Sequence, residues 1–242
     1  MLESWTFDPW QAAPAVHRGV TTGRLACYFG GLLAIWIALA SPVEAFAPLL
    51  LSAHMVQHML LTMVAAPLLL MGEPFLPLVR GLPAGVRREA IGPFLASRGG
   101  RRVGRTLTHP IPAWLIFNLL LVAWHLPPTY ELALQDPFWH RLEHMTLLGG
   151  ALLFWWPVVA LAPSRAVWPR WAMVPYLLVA DLVNTVIAAT FAFAPRVIYE
   201  TYAATAPALG VDALRDQAAA GAIMWVPGSI AYLVPAAIIL VK

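Results

Sequence analysis

Long apolar stretches that contain almost no charged residues are the feature that most restricts how this chain folds. A helix that crosses about 30 Å of hydrocarbon needs roughly 20 apolar residues. Six stretches approach or exceed that length, at residues 25–40, 46–71, 111–125, 142–161, 171–193 and 217–241. Only 11% of the 242 residues are charged, whereas soluble domains carry about 25%. The sequence therefore predicts an all-α integral membrane protein, with about six transmembrane helices in one bundle and a single domain over residues 1–242.

The basic residues predict how this bundle is oriented, because Lys and Arg concentrate in cytoplasmic loops. The segment 72–108 is too polar to span a membrane and is rich in arginine. If this basic loop is cytoplasmic, 12 of the 15 basic residues lie on the inner side, all except Arg141, Arg196 and Arg215. Both termini are then cytoplasmic. The start of the chain lacks the basic and short apolar regions of a cleavable signal, so we expect none, and the local arginine cluster does not suggest nucleic-acid binding.

Histidine pairs inside the apolar segments are the strongest indication of a functional site. His54/His58 and His140/His144 are each separated by four residues, so each pair shares one face of a helix. With this topology, both pairs and His125 fall in the outer half of the bundle, on three different spans. Ionisable side chains are costly in a membrane helix and usually face its interior or a cavity. The five histidines therefore predict a buried metal or haem site.

Methionines beside the first histidine pair indicate which metal such a site would bind. Met55 follows His54 and Met59 follows His58. Imidazole suits copper and iron, and thioether suits cuprous copper. We therefore predict a copper site formed by a larger set of side chains, namely His54, His58, His125, His140, His144, Met55 and Met59. Copper takes two to four such ligands, which leaves open two sites or ligand exchange. In the alternative interpretation the histidines only bond between helices and the methionines fill gaps.

Three carboxylates and a methionine are expected to support this site: Glu143, Asp181, Asp216 and Met224. Glu143 completes an H-x-x-E-H order with His140 and His144, which also occurs in inverted zinc peptidases. The match is short, and the glutamate serves equally well to orient a histidine. Asp181 lies in the middle of the fifth span, and Asp216 is expected to stabilise the start of its own helix.

Glycines, prolines and the single cysteine predict further local features of the structure. Gly149, Gly150 and Gly221 predict close approaches between helices. The segment 125–141 contains three prolines, which predict a rigid lid over the mouth of the pocket. Cys27 is the single cysteine, so neither an internal disulfide nor a thiolate metal cluster is expected.

Several short elements, taken in order, resemble the multi-span CtaG-type cytochrome c oxidase assembly factors of bacteria. They are WTFDPW, SAHMVQHMLLTMVAAPLLLMGEP, THP, WHLPPTYELAL, HRLEHMTLLGGALLFWWPV and RDQAAAGAIMWVPG. The resemblance covers about residues 30–235. The family's histidines correspond to His54, His58, His109, His125, His140 and His144, and its other polar and aromatic positions to Asp216, Gln217, Met224 and Trp225.

This resemblance implies a plasma-membrane protein that contributes to the production of a haem–copper oxidase, with oxidase subunits and the lipid bilayer as its partners. One departure concerns the N-terminal part, where only about fifteen residues separate WTFDPW from the first apolar stretch. Family members usually have a further span there. The departure predicts six spans instead of seven and leaves room for a partner helix or an oligomer.

The leading hypothesis is therefore a non-catalytic assembly factor that binds or delivers copper. One alternative is a membrane protein that holds haem between two histidines, as axial ligation requires. A second is a membrane metallopeptidase that uses Glu143, and a third is a metal-free scaffold for oxidase subunits.

Overall fold

The computed structural model describes residues 21–73, 81–86, 89, 93, 97–159 and 168–241. Within these ranges the chain is helical and contains no strand. The helices used below are α1 (Thr22–Ala40), α2 (Pro42–Phe46), α3 (Leu51–Met71), α4 (Arg98–Leu107), α5 (Pro110–His125), α6 (Pro127–Gln135), α7 (Pro137–Val159), α8 (Met173–Phe193), α9 (Glu200–Thr205) and α10 (Ala213–Val241). The described residues also form three shorter elements, which are the single helical turn Ala84–Val86 and the 3₁₀ turns Arg170–Ala172 and Ala206–Leu209. The element WTFDPW lies outside the described residues.

Five helical segments are long and apolar enough to cross a membrane: Thr22–Phe46, Leu51–Met71, Pro137–Val159, Arg170–Phe193 and Ala213–Val241. Helix α5 falls short of this length, with 16 residues, or about 24 Å at 1.5 Å per residue. It qualifies only together with α4, from which it is bent by 63°. The prediction of an all-helical membrane protein is confirmed, and the described helices give five spans, or six if this bent pair counts as one.

The surface of the bundle is apolar and part of its interior is polar. Large apolar side chains are exposed along the outer faces of the long helices, such as Leu119 at 64% and Phe193 at 73%. In contrast, His54, Gln57 and Glu143 are completely buried. A water-soluble protein rarely exposes apolar patches of this extent, whereas lipid favours apolar faces outside and keeps ionisable groups inside. This distribution is that of a multi-pass membrane protein.

Helix α3 is the centre of the bundle and contacts α1, α7 and α10. Its middle, Leu60–Ala65, is a π-helix, directly after the turns that carry His54 and His58. π-Helical turns are rare in proteins, and those that occur are often found at functional sites. Backbone carbonyls here have side-chain partners: Thr62 Oγ1 donates to His58 O at 2.6 Å, and Trp155 Nε1 donates to Thr62 O at 2.9 Å.

A carboxylate from the last span caps the start of α3. Asp216 Oδ2 accepts from the backbone N–H groups of Leu51 at 2.7 Å and Ser52 at 3.3 Å, and Asp216 Oδ1 accepts from the Ser52 hydroxyl. Asp216 also lies in the first turn of its own helix α10, where the helix dipole favours a carboxylate, as expected. The hydrogen-bonded cap of α10 is Asp212, which accepts from Arg215 N at 2.8 Å. Asp216 thus satisfies the free donors of α3 and joins the two helices.

Glycines allow two helix pairs to approach closely. A Cβ at Gly221 of α10 would lie 2.6 Å from the backbone nitrogen of Ala192 in α8. A Cβ at Gly150 of α7 would lie 3.1 Å from the Leu120 side chain in α5. The prediction of close packing is therefore confirmed for these two glycines. It is wrong for Gly149, whose Cβ would meet open space, because adjacent residues point to different sides of a helix.

The Gly221→Ala substitution is expected to destabilise the bundle, because the new methyl group meets backbone atoms that cannot rotate away. Overpacking of this kind costs about 1–3 kcal/mol. The measurement is the thermal unfolding midpoint of the detergent-purified protein, with Gly149→Ala as the matched control. We expect a lower midpoint only for Gly221→Ala, and equal midpoints would contradict the close approach of α8 and α10.

Candidate metal centre

Five histidines from α3, α5 and α7 form one cluster at one end of the bundle. The ring centroids are 4.5 Å apart for His54 and His58 and 4.4 Å apart for His140 and His144. Between helices, His54 lies 5.1 Å from His140, and His58 lies 5.6 Å from His125. The structure thus brings together all five histidines that the topology predicts to converge.

The cluster lies opposite the arginine-rich helix. His125 ends α5, whereas α4 precedes the start of α5 and contains Arg98, Arg101, Arg102 and Arg105. Since α5 separates the two, the histidines and these arginines lie at opposite ends of the bundle. If α4 is cytoplasmic, as the positive-inside rule predicts, the cluster lies in the outer half of the membrane.

Glu143 lies inside the histidine cluster, between the two histidines of α3. Its Oε2 is 3.4 Å from His54 Nε2, and its Oε1 is 3.5 Å from His58 Nε2. The side chain is completely buried, because Glu143 shares the inward face of α7 with its neighbours His140 and His144. Ligand atoms of His54, His140, Glu143 and His144 all lie within 4.8 Å of one another, a spacing that a metal ion could use.

Most atoms of this cluster lack the hydrogen bonds that buried polar atoms normally have. Among the described residues, twelve buried side-chain nitrogen and oxygen atoms have no hydrogen-bond partner, and eight of them belong to this cluster. The eight are His54 Nε2, His58 Nδ1 and Nε2, His125 Nε2, His140 Nε2, His144 Nε2, and Glu143 Oε1 and Oε2. An unpartnered polar atom is expensive in a low-dielectric interior. Such a concentration of lone pairs fits a site that binds a cation.

The hydrogen bonds of two histidines assign their tautomers. Tyr202 donates its hydroxyl hydrogen to Ala47 O at 2.9 Å, so its oxygen must accept from His54 Nδ1, 3.1 Å away. His125 Nδ1 lies 2.6 Å from Leu121 O, and a carbonyl only accepts. Both rings therefore carry hydrogen on Nδ1 and present a bare Nε2, the arrangement that fixes metal-binding imidazoles in proteins.

Three buried tyrosines, Tyr130, Tyr199 and Tyr202, cover the histidines and are called the tyrosine roof. Tyr130 stacks on Tyr199 with centroids 4.0 Å apart, and its hydroxyl is 3.4 Å from that of Tyr202. Tyr199 donates to His125 O at 2.8 Å. Burial raises the pKa of Tyr202 and of Tyr130 well above the usual value, so both hydroxyls stay protonated and neutral. The roof rests on α6 and α9, which lie between spans.

The tyrosine roof was not predicted from the sequence. The prolines of the segment 125–141 predict a rigid lid, and this segment contains α6, in which Tyr130 is completely buried. Tyr199 and Tyr202 lie three residues apart after the fifth span. Tyr199 is the N-cap residue of α9 and Tyr202 lies in its first turn, and their close spacing is the signal that could have indicated them.

Other predicted site residues have different surroundings. Met55 and Met59 are buried in the apolar core, and the Met59 methyl group faces Gly228 of α10. Met224 is buried and its carbonyl accepts from Asn184. Asp181 accepts from Ser229 at 2.8 Å between α8 and α10. The ligand roles of Met55 and Met59 and the supporting roles of Met224 and Asp181 stay predictions.

His109, the sixth of the family-matched histidines, lies at the opposite end of α5. Its Nδ1 accepts from the backbone nitrogen of Ile111 at 3.3 Å, and Pro110 follows as the first helical residue. This is the N-cap arrangement of a helix start. His109 therefore has a local structural role apart from the cluster.

Comparison with known proteins identifies the family. A family model described as cytochrome c oxidase caa3 assembly factor (Caa3_CtaG) matches residues 6–242, so the chain belongs to this family. An uncharacterized protein of Mycobacterium tuberculosis is 27% identical over 144 residues, 59% of this chain and 22% of that protein. One of Mycobacterium leprae is 25% identical over 191 residues, 72% of this chain and 28% of that protein. The chain spans about a quarter of the length of these relatives. No solved structure matches it.

Removal of one hydroxyl from the tyrosine roof tests whether the cluster binds metal. Tyr202→Phe leaves His54 Nδ1 without its acceptor, and loss of such an orienting partner weakens metal affinity about 10–100-fold. The measurement is a Cu²⁺ titration of detergent-purified protein. Tyr232→Phe is the matched control, because the Tyr232 hydroxyl is buried without a hydrogen-bond partner among the described residues. Equal affinities for the two variants would contradict the assignment of His54.

Proposed function

We propose that this member of the caa3 assembly-factor family binds copper in the histidine cluster and delivers it during maturation of a haem–copper cytochrome c oxidase. The observation that carries the proposal is the set of eight unpartnered buried atoms on five histidines and Glu143. In this proposal copper is the cargo of a non-catalytic protein in the bacterial plasma membrane, and oxidase subunits receive it.

The donor atoms support a borderline transition metal. Imidazole suits copper, zinc, nickel and iron, whereas magnesium and calcium prefer sites made of oxygen atoms. One carboxylate among five imidazoles therefore disfavours the hard cations. Among these metals the family supports copper, because a haem–copper oxidase requires copper for its own centres.

The number of histidines supports transfer of the ion over permanent storage. Five imidazoles exceed the two to four ligands that copper takes in common sites. His144 lies about equally far from His54, at 5.6 Å, and from His58, at 5.4 Å, between ring centroids. Such a neighbour allows one ligand to replace another without a large movement, which is what release to a second protein requires.

The peptidase alternative finds less support in the geometry. A zinc peptidase needs its glutamate next to a water molecule and a substrate bond. Both carboxylate oxygens of Glu143 instead face histidines, and the side chain has no exposed surface. The arrangement leaves no opening for a peptide at this residue, which favours binding over hydrolysis.

The metal content of the detergent-purified protein tests the proposed function. After copper loading and removal of excess metal, we expect bound copper in the wild type and its loss in the double variant His54→Ala/His58→Ala. His109→Asn is the matched control, because His109 lies apart from the cluster and caps the start of α5, and asparagine is a preferred cap residue. We expect this variant to retain its copper.

An absorption spectrum and an oxidase assay in cells complete this experiment. A Soret band that the double variant loses would overturn the copper proposal in favour of haem. Absence of both metal and haem would favour a metal-free scaffold. In cells, the double variant should lower the content of active oxidase, whereas His109→Asn should not.

A further inference from the structure

We propose that Glu143 bridges two metal positions, so that the cluster binds a pair of ions instead of one. This inference rests on the proposed function, since it assumes that the cluster binds copper. Site A consists of His54, His140, His144 and Oε2 of Glu143. Site B consists of His58, His125 and Oε1 of Glu143.

The two carboxylate oxygens of Glu143 face different histidines. Oε2 is 3.4 Å from His54 Nε2, and Oε1 is 3.5 Å from His58 Nε2. All four of these atoms lack a hydrogen-bond partner. Two ligand atoms bound to one tetrahedral ion at about 2.1 Å are separated by roughly 3.4 Å. Each of the two distances therefore fits a carboxylate oxygen and an imidazole nitrogen that bind the same ion. One ion would lie on each side of the carboxylate.

Site A has the complete ligand set of a closed position. Its four residues come from α3 and α7, and their ligand atoms lie within 4.8 Å of one another. The Nε2 atoms of His54, His140 and His144 all lack partners. The bond from His54 Nδ1 to Tyr202 directs the bare nitrogen of His54 away from the tyrosine roof, since the two ring nitrogens lie on different sides of the ring.

Site B has fewer protein ligands. His125 presents a bare Nε2, because its Nδ1 bonds to Leu121 O, and His58 has no partner on either nitrogen. The ring centroids of His58 and His125 lie 5.6 Å apart, and in this proposal Glu143 Oε1 completes a set of three protein ligands, one fewer than at site A. A tetrahedral site with three protein ligands keeps a position open for an incoming group. We therefore assign site B as the position from which an ion is passed on, and site A as the more firmly bound one.

Copper stoichiometry and magnetic coupling test the bridge in the full-length, detergent-purified protein. We expect two Cu²⁺ ions per chain in the wild type, by elemental analysis after loading and removal of excess metal. Because a carboxylate couples the spins of the ions that it bridges, the integrated EPR signal should fall well below the copper content. Glu143→Gln and His125→Gln should each bind one ion, with an EPR signal equal to the copper content.

Glu131→Gln is the matched control, because Glu131 accepts from Thr201 N and Oγ1 outside the cluster. It should retain two coupled ions. One ion in the wild type, unchanged by His125→Gln, would overturn the two-ion proposal and leave the copper-delivery function in place. Two uncoupled ions would overturn the bridge alone. No copper in any protein would overturn the proposed function itself. The wild-type measurement decides the question even if a variant fails to fold.

Discussion

Hydrocarbon offers no hydrogen bonds, so a protein that crosses it must supply a partner for almost every polar atom that it buries. This chain meets that demand at most places. Trp155 bonds to a carbonyl of the π-helix, Asn184 bonds to Met224 O, and Asp216 caps α3. Among the residues that the structure describes, most of the remaining unpartnered atoms lie in the histidine cluster. The unpartnered atoms therefore mark the candidate site, and the hydrogen bonds around them hold its side chains in position.

The cap on α3 is the contact through which the last span positions this site. Asp216 is 165 residues from Leu51 in sequence, yet it accepts from the first backbone nitrogen of α3. His54 and His58 follow within the next two turns of that helix. Gln217, the next residue, accepts from Ile198 N and donates to Arg196 O, which ties the start of α10 to the segment that leads to Tyr199. Neighbouring residues of α10 thus stabilise both the histidines and the tyrosine roof.

Sequence periodicity predicted the spans and the five histidines, because length, hydropathy and i,i+4 spacing are local properties. It could not predict partners that lie across helices. Asp216 caps a different helix from its own, and Tyr202 reaches His54 from a short helix between spans. A Cβ at Gly150 would contact α5, whereas one at Gly149 would meet open space. Glu143 was expected beside the histidines, and its place between His54 and His58 depends on how α3 and α7 face each other. Rotation and depth of one helix against another come from packing, which the local pattern does not contain.

The tyrosine roof has a kinetic consequence for any bound ion. Tyr199 and Tyr202 donate to backbone carbonyls of two separate segments, at His125 and Ala47, and Tyr130 is packed between them and the histidines. An ion that leaves on this side must wait until these contacts open together. Exchange would then follow the rate of local opening rather than the intrinsic lability of copper–imidazole bonds. If the cluster delivers copper as proposed, a docking protein that pulls α6 or α9 aside would set the time of release.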